Sequence, residues 1–255
     1  MLLHRPHPFL NDLSFIPFAH RGGTSNAPEN TLRSFQNAID TGYLYLETDV
    51  HASADGVLFA FHDSDLQRTC GVPHKIGELQ AAEIKQFTVE GTDPIPTLEQ
   101  LVSAFPHAFF NIDCKADTAL EPLIRDLIEF ELLDRACVGS FSDRRLRAIR
   151  SRFGEKVCTS AGPREVTAVI VGAVSTVLDG QGPNCLQIPM KQGPINLASK
   201  RFIDRCQRNG LPVHYWTVDD PADINLLLDV GANGIMTDQP RNLREALDQR
   251  TMWPH

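Results

Sequence analysis

Imidazole, guanidinium and carboxylate side chains recur at the points where short apolar runs of this sequence end. The run FIPFA at residues 15–19 is followed by His20 and Arg21, and a later apolar run ends in His62 and Asp63. An imidazole has a pKa of about 6.5, so it can either accept or donate a proton near neutral pH. Two histidines of this kind beside charged side chains are typical of a site that transfers protons.

Carboxylates accompany these residues at a spacing that places them together. Glu47 and Asp49 lie two residues apart in a strand-like run, so both side chains leave the same face of the strand. Asp113 and Lys115 repeat this spacing and would add a third carboxylate and a positive charge. Buried like charges raise each other's pKa unless a cation lies between them. Three oxygen ligands without a thiolate suit Mg²⁺ or Ca²⁺. Salt bridges of Glu47 and Asp49 with Arg21 or Lys115 are the alternative without a metal.

The elements that must position these residues alternate along the whole chain. We predict strands at residues 15–20, 45–50, 108–115, 136–141, 156–161, 185–190, 212–218 and 234–238, and helices at residues 28–41, 97–105, 118–133, 143–153, 163–174, 199–209, 221–230 and 241–250. Eight of each in alternation indicate one α/β domain over residues 1–255, a TIM (β/α)8 barrel with its working residues at the C-terminal strand ends. An open doubly wound sheet shares the alternation, but no Gly-x-Gly-x-x-Gly turn follows the first strand.

One segment departs from the alternation. Residues 51–96 contain a hairpin-type turn at Asp55-Gly56, a short apolar run that ends at His62, and then a long polar stretch. This segment is too long for an ordinary connection between a strand and a helix. Because long loops at this face of a barrel usually cover an active site, we expect a small insertion subdomain there, after the second strand.

Composition and charge narrow the classes of function. The formal net charge is −8 and there is no basic tract, which argues against binding to nucleic acid. No segment approaches the about 18 apolar residues of a membrane span, and the N-terminal residues lack the apolar core of a secretory signal. We therefore expect a cytoplasmic protein without an integral membrane segment, either a monomer or a homodimer. The six cysteines are scattered, four of them in apolar strand-like runs, and are expected to be reduced.

Eight short motifs occur in order between about residues 15 and 248. They are His20-Arg21-Gly22, Pro28-Glu29-Asn30-Thr31, Glu47-x-Asp49, Asp55-Gly56, His62-Asp63, Asp113-x-Lys115, Trp216-Thr217-Val218 and the closing run GIMTDQP at residues 234–240. No single motif is specific, but the ordered set resembles the glycerophosphodiester phosphodiesterase family. The resemblance implies a TIM-type barrel with a small insertion after the second strand.

The resemblance also implies a reaction, the metal-dependent hydrolysis of glycerophosphodiesters to sn-glycerol 3-phosphate and an alcohol. The implied cofactor is one divalent cation, Mg²⁺ or Ca²⁺, with Mn²⁺ as a further candidate. The residues that match the family's site are His20 and His62 as general acid and base, Glu47, Asp49 and Asp113 as metal ligands, Arg21 and Lys115 as phosphate clamps, and Trp216 as a wall for glycerol. The family usually has glutamate where this chain has Asp113. The shorter side chain either binds the metal through water or draws the site tighter.

A phosphodiester is attacked in line, so one histidine would take a proton on the entering side and the other would give one on the leaving side. The entering group is either water or the neighbouring glycerol hydroxyl, which would form a cyclic phosphate that is then opened. Gly22 and Gly23 would let the backbone approach the phosphate. Two other functions are compatible with these motifs. One is a phospholipase D-like lyase that acts on lysophospholipids with a cyclic phosphate product, and the other is a barrel that binds glycerophosphodiesters without catalysis.

Several residues near these motifs have structural interpretations instead. We expect Asp238 to cap the last helix rather than to ligate metal, and His51 to be exposed near the insertion. His214 and Trp216 share a strand face, and either side chain would pack in the barrel interior. Asn30 either begins the first helix or contacts substrate.

Overall fold

The computed structural model describes residues 7–10, 14–177 and 181–254 of the chain. Its main sheet contains eight parallel strands, which we number in chain order. They are β1 (Ile16–His20), β2 (Tyr45–Ala52), β3 (Phe109–Cys114), β4 (Ala136–Gly139), β5 (Cys158–Thr159), β6 (Leu186–Ile188), β7 (Val213–Tyr215) and β8 (Gly234–Thr237). Each strand lies within a predicted segment, except that β2 continues to Ala52.

The eight strands close into a barrel. Their order along the sheet is β5, β4, β3, β2, β1, β8, β7, β6, and a parallel bridge between Ser160 and Cys185 joins the two ends. At this seam the amide of Ala161 donates to the carbonyl of Cys185 at 2.9 Å. The predicted (β/α)8 barrel is therefore confirmed, and the open sheet is excluded because both of its edges are joined.

Eight helices alternate with the strands. They are α1 (Leu32–Asp40), α2 (Leu98–Ala104), α3 (Leu120–Glu129), α4 (Asp143–Phe153), α5 (Pro163–Ile170), α6 (Lys200–Arg208), α7 (Pro221–Val230) and α8 (Pro240–Gln249). Helix α1 begins later than predicted because Thr31 is its N-cap, whose hydroxyl accepts from the amide of Ser34 at 3.2 Å.

Two layers of apolar side chains shape the barrel. Alternate strand residues, such as Leu46 and Phe110, pack outward in the main core against the helices. The intervening residues point inward, where Phe18 and Tyr45 pack with Phe9 in a second cluster near the N-terminal ends of the strands. Because apolar side chains fill that end, the polar interior side chains collect at the C-terminal ends.

The chain between β2 and α2 forms the predicted insertion. A strand at Leu58–Ala60 pairs antiparallel with the end of β2, where His51 lies opposite Phe59. The insertion continues with helices Gln67–Cys70 and Ala81–Ile84, a 3-10 helix Ile76–Glu78, and paired strands Thr88–Val89 and Asp93–Pro94. Phe59 and Phe61 are buried in a separate apolar cluster of this insertion, so they serve packing. The hairpin carries His62 to the rim of the barrel.

Short elements complete the described structure. They are 3-10 helices at Asp117–Ala119 and Gly154–Lys156, a helix at Val174–Val177, and a strand pair at Lys191–Gln192 and Ile195–Asn196. All six cysteines are free thiols. Within the described ranges, no helix is both long and apolar enough to cross a bilayer.

Candidate active site

A cavity of about 390 Å³ opens at the C-terminal end of the barrel. The residues predicted from the sequence to form a site all line it, and they are His20, Arg21, Glu47, Asp49, His62, Asp113, Lys115 and Trp216. They come from β1, β2, the insertion, β3 and the segment after β7. The fold thus gathers side chains from distant parts of the chain around one space.

The turn after β1 depends on unusual backbone conformations. Arg21 is left-handed (φ 53°), and its amide donates to the backbone carbonyl of Glu47 at 2.9 Å and to its carboxylate at 3.0 Å. At Gly22 (φ 82°) a Cβ would collide with the hydroxyl of Ser34, and Gly23 lies similarly close to the start of α8. The glycines let the turn pack against two helices. They are not among the residues that line the cavity, and their approach to phosphate stays a prediction.

His20 lies between two acids. Its Nδ1–H donates to Oδ1 of Asp238 at 2.7 Å, and its Nε2 lies 3.7 Å from Oε2 of Glu47. Burial by itself would lower the pKa of His20, but the charge of Glu47 and the hydrogen bond to Asp238 outweigh it, so the pKa is raised. Because a carboxylate only accepts, Asp238 fixes the ring proton on Nδ1 and leaves Nε2 for the cavity.

His62 is held in the same way from the insertion. Its Nδ1–H donates to Oδ1 of Asp63 at 2.6 Å. Its backbone carbonyl accepts from Nε2 of His51 at 3.1 Å. The expectation that His51 is exposed is wrong, because the hairpin strand pairs with β2 and buries the ring. His51 therefore supports the loop that presents His62.

A row of ion pairs links the insertion to the turn after β1. Nη1 of Arg21 lies 3.1 Å from Oε1 of Glu29. Arg68 binds both oxygens of Glu29, at 2.6 and 2.8 Å, and its Nε donates to Oδ2 of Asp63 at 2.6 Å. Burial would raise the pKa of Glu29, but the hydrogen bonds from Arg68 and the charge of Arg21 lower it. These charge-assisted bonds fix His62 relative to β1.

Glu47 and Asp49 share one face of β2 but have different surroundings. Oδ1 of Asp49 lies 3.0 Å from Nζ of Lys115, and Oδ2 lies 3.1 Å from Nε of Arg21. Burial would raise the pKa of Asp49, but these two charges lower it. Burial and the charge of Asp49 raise the pKa of Glu47 to about 7. Asp49 therefore forms the salt bridges that were the alternative to a metal site. The positive charge near Glu47 does not offset its burial and the charge of Asp49.

Asp113 lies opposite Asp49 in the register of β3 with β2. Its Oδ2 accepts from Lys115 at 3.1 Å, while its Oδ1 is buried without a hydrogen-bond partner. Burial raises the pKa of Asp113 although Lys115 opposes the shift. An unpaired buried polar atom costs about 1–3 kcal/mol, so this oxygen is suited to a further positive charge.

The three carboxylates fit a hard divalent cation in their donor chemistry. They line one cavity and offer only oxygen ligands. Burial is the main cause of the raised pKa values of Glu47 and Asp113, and the positive charges of Arg21 and Lys115 offset it only in part. Among the described residues, however, these carboxylates are not a group of three ligand atoms within 4.8 Å of one another. The ligands share the cavity without forming a tight cluster.

Comparison with known proteins decides the family. A sequence model of the Glycerophosphoryl diester phosphodiesterase family matches residues 20–242. The chain belongs to this family. The resemblance carried by the eight motifs is confirmed, and this chain is a phosphodiesterase of the hydrolase class.

Two relatives and one solved structure illustrate the similarity of this phosphodiesterase to known proteins. The probable glycerophosphodiester phosphodiesterase 2 of Mycobacterium tuberculosis is 33% identical over 254 residues, which cover 96% of this chain and 95% of the relative. Lysophospholipase D GDPD1 of Homo sapiens is 26% identical, with coverage of 90% and 85%. A phosphodiesterase of Oleispira antarctica, solved in complex with the product sn-glycerol-3-phosphate, has a TM-score of 0.76 at 23% identity and covers 91% of this chain and 96% of its own. The last comparison supports the barrel fold.

The sequence did not reveal the residues that hold the histidines of this phosphodiesterase. Asp238 does not cap α8, whose N-cap Gln239 makes no side-chain cap hydrogen bond. The feature of the sequence that could have identified Asp238 as a partner of His20 is its position at the end of β8, on the same rim of the barrel. Arg68 gave no signal, because its partner Glu29 is 39 residues away in the sequence. Asn30 neither begins α1 nor lines the cavity, since it is buried and donates to Asp49 at 3.2 Å.

The other half of the phosphodiesterase cavity is apolar. Trp216 lies between the inner core cluster and the cavity, and its ring packs edge-on against Phe141 with the centroids 5.8 Å apart. Phe141, in the loop after β4, is 68% exposed at the mouth. Ile170 and Ile188 also line this side. Trp216 therefore forms part of the cavity wall, whereas His214 is fully buried in the barrel.

Proposed function

We propose that this chain hydrolyses glycerophosphodiesters to sn-glycerol 3-phosphate and an alcohol, with His20 and His62 as acid and base and with one divalent cation. The observation that carries the proposal is one cavity lined by two carboxylate-bound imidazoles, three carboxylates and two cationic side chains. A cavity of this size suits a small polar substrate. The product bound to the Oleispira antarctica relative supports the choice of product.

Two carboxylates prepare the histidines for proton transfer. Asp238 and Asp63 accept from Nδ1 of His20 and His62, so Nε2 of each ring remains to exchange a proton with substrate. The rings come from different elements, β1 and the insertion, and both line the cavity. One ring takes the proton of the entering group, and the other protonates the leaving oxygen.

Positive charge comes from two side chains and a cation. Glu47, Asp49 and Asp113 would hold Mg²⁺ or Ca²⁺, with Mn²⁺ as a further candidate. When bound, the cation supplies charge that neutralises the phosphate oxygens and orients the substrate. Arg21 and Lys115, which flank Asp49, add fixed positive charge at the same place. Hydrolysis of a phosphate ester requires a barrier reduction on the order of 20 kcal/mol, so these groups must act together.

The entering group is either water or the glycerol hydroxyl next to the phosphate. Direct attack places solvent oxygen in the product without a cyclic species. Attack by the hydroxyl forms a cyclic phosphate that water then opens. Phosphorus NMR of the reaction mixture distinguishes the two routes, because only the second shows a cyclic intermediate.

A substrate panel tests the proposed function. Glycerophosphocholine, glycerophosphoethanolamine, glycerophosphoglycerol and a lysophospholipid are each incubated with Mg²⁺, Ca²⁺, Mn²⁺ or EDTA. We expect sn-glycerol 3-phosphate from the first three substrates, only when a divalent cation is present. Release of choline with a cyclic lipid phosphate from the lysophospholipid alone would instead assign a lyase, and no turnover on any substrate would assign a binding protein.

A further inference from the structure

Three cysteines meet inside the barrel, away from the carboxylates. Cys137 is on β4, Cys158 is opposite it on β5, and Cys185 directly precedes β6. All three are fully buried. The three sulfur atoms lie within 4.8 Å of one another, and Sγ of Cys137 is 3.9 Å from Sγ of Cys185. The sequence predicted reduced thiols in apolar runs, but it did not predict that three of them meet.

A histidine on the next strand adds a fourth group. His214 on β7 is fully buried, with its ring centroid 5.1 Å from that of Phe18. Neither of its ring nitrogens has a hydrogen-bond partner among the described residues. His214 is paired in the register with Gln187, which lies two residues beyond Cys185 on the same strand face. An imidazole buried without partners costs free energy, which a ligand at one nitrogen would offset.

The spacing of the sulfur atoms matches a tetrahedral metal site. A zinc–thiolate bond is about 2.3 Å long, so two sulfurs on a tetrahedral ion lie about 3.8 Å apart. Cys137 and Cys185 already have nearly this separation. We propose that Cys137, Cys158 and Cys185 form a structural thiolate site for Zn²⁺ inside the barrel, and that His214, which lies outside this group of three, turns toward the ion as its fourth ligand. Binding releases the thiol protons and leaves three thiolates and a neutral imidazole around the ion.

This zinc site is separate from the carboxylate site in position and chemistry. Asn111 and Gln187 line the catalytic cavity and are joined by a hydrogen bond of 2.6 Å. Asn111 is paired with Cys137 in the register, and Gln187 is two residues beyond Cys185 on the same strand face. Gly139, Ser160 and Gln187, which line the cavity, each lie two residues beyond one of the three cysteines, and the cysteines themselves are not among the lining residues. Soft thiolates select zinc, whereas the carboxylates above select hard cations.

The position of the site gives it a structural role. Its ligands come from four consecutive strand segments, β4 to β7, and they span the seam where β5 meets β6. Strand β5 has only two residues, and a single bridge pairs it with the segment that precedes β6. A metal bound across this seam would add to the backbone pairing that closes the barrel between β5 and β6.

Cobalt substitution tests the zinc site without reference to turnover. Because the ligands are buried, the full chain is expressed in minimal medium containing Zn²⁺ or Co²⁺ and purified with a thiol reductant. We expect about one equivalent of metal per chain that EDTA removes only after unfolding. The cobalt form should show thiolate-to-cobalt charge-transfer bands and the visible bands of a tetrahedral ion. Protein without stoichiometric metal, or cobalt protein without the thiolate bands, would overturn the proposal.

Matched variants identify the ligands. Cys158→Ser should lose the thiolate bands or shift them strongly, whereas Cys206→Ser, which alters a buried thiol on α6 outside the cluster, should keep them. Asp49→Ala should also keep them, because it changes only the carboxylate site. If Cys158→Ser fails to fold, the spectrum of the wild-type cobalt protein decides the question alone. A count of four rather than six thiols in the unfolded protein would reveal a disulfide and reject the site.

Discussion

His20 reaches the cavity with the position of its ring proton already determined. Asp238 accepts from Nδ1, and Glu47 lies 3.7 Å from Nε2. The same arrangement is repeated at His62 with Asp63. The proposed chemistry therefore depends on two carboxylates, Asp238 and Asp63, that are not among the cavity-lining residues and that act by orienting the rings.

Replacing Asp238 with asparagine tests this positioning role. The amide is uncharged and can donate as well as accept, so it no longer fixes the tautomer of His20. We expect Asp238→Asn to lower kcat on the order of 100-fold while KM changes little, because general acid–base catalysis contributes at least this much. Steady-state kinetics on glycerophosphocholine measure both constants. Gln239→Ala, at the adjacent position, is the control and should retain kcat, and an unchanged kcat in Asp238→Asn would contradict the assigned role.

At the scale of single residues, the sequence predicted the side chains that line the cavity but not all of their partners. Positions at strand ends and the spacing of Glu47 and Asp49 are local patterns, and the structure places those residues around one cavity. The contact of Arg68 with Glu29 joins residues far apart in the chain, and no local pattern encodes it. Asp113 was the least certain ligand from sequence, and its unpaired oxygen is the structural reason to retain it.

At the scale of elements, the insertion is a separate unit fastened to the barrel beside the active site. Arg68 binds Glu29 of the β1–α1 connection and Asp63 next to His62. A second ion pair, between Arg33 of α1 and Asp93 of the insertion, lies elsewhere on the same boundary. Both ion pairs hold the insertion against the barrel, but only the contacts of Arg68 adjoin a candidate catalytic residue, His62.

Replacing Arg68 with methionine should affect both stability and activity. The pKa values of Glu29 and Asp63 are lowered in the folded protein. Such groups contribute stability that is complete above their ordinary pKa values and is lost as the pH falls through the folded values. Because Arg68 is half exposed, we expect Arg68→Met to lower the free energy of unfolding by about 1 kcal/mol at pH 7. The difference from wild type should begin to shrink below about pH 4 and should disappear only when the pH is below the lowered pKa values of the folded protein.

Arg33→Met is the matched control for this prediction. It also removes an ion pair between the insertion and the barrel, so it should reduce stability slightly in urea unfolding without changing kcat. Arg68→Met should in addition lower kcat severalfold, because His62 loses its support. Equal kcat values in the two variants would show that the row of ion pairs does not position His62.

The loop after β4 forms the apolar side of the cavity. Phe141 is exposed and packs edge-on against Trp216, so its ring is available to contact the leaving alcohol. Phe141→Ala should raise KM about fivefold for glycerophosphodiesters with an apolar alcohol, which corresponds to the loss of about 1 kcal/mol of apolar contact. KM for glycerophosphoethanolamine should change little. An equal rise in KM for both substrates would contradict this role of the loop.

At the scale of the whole molecule, the alternation of apolar and amphipathic runs was sufficient to predict the barrel. Strand and helix positions follow from local periodicity, and the capping at Thr31 explains the late start of α1. The residues that close the barrel between β5 and β6 were not predictable, because the contact is one bridge between Ser160 and Cys185. For the same reason, the sequence did not show that three cysteines and His214 meet in the interior.

The whole barrel brings the proposed catalytic parts into one cavity, and a single comparison of turnover tests this convergence. The release of sn-glycerol 3-phosphate from glycerophosphocholine is measured for the wild type, His20→Ala, His62→Ala and Asp49→Ala, each with Mg²⁺ and with EDTA, alongside calorimetric titration of Mg²⁺. We predict turnover only in the wild type with Mg²⁺. Each histidine variant should lose at least about 100-fold in rate while it still binds Mg²⁺, whereas Asp49→Ala should lose both. Full wild-type turnover in EDTA, or an active histidine variant, would contradict the account.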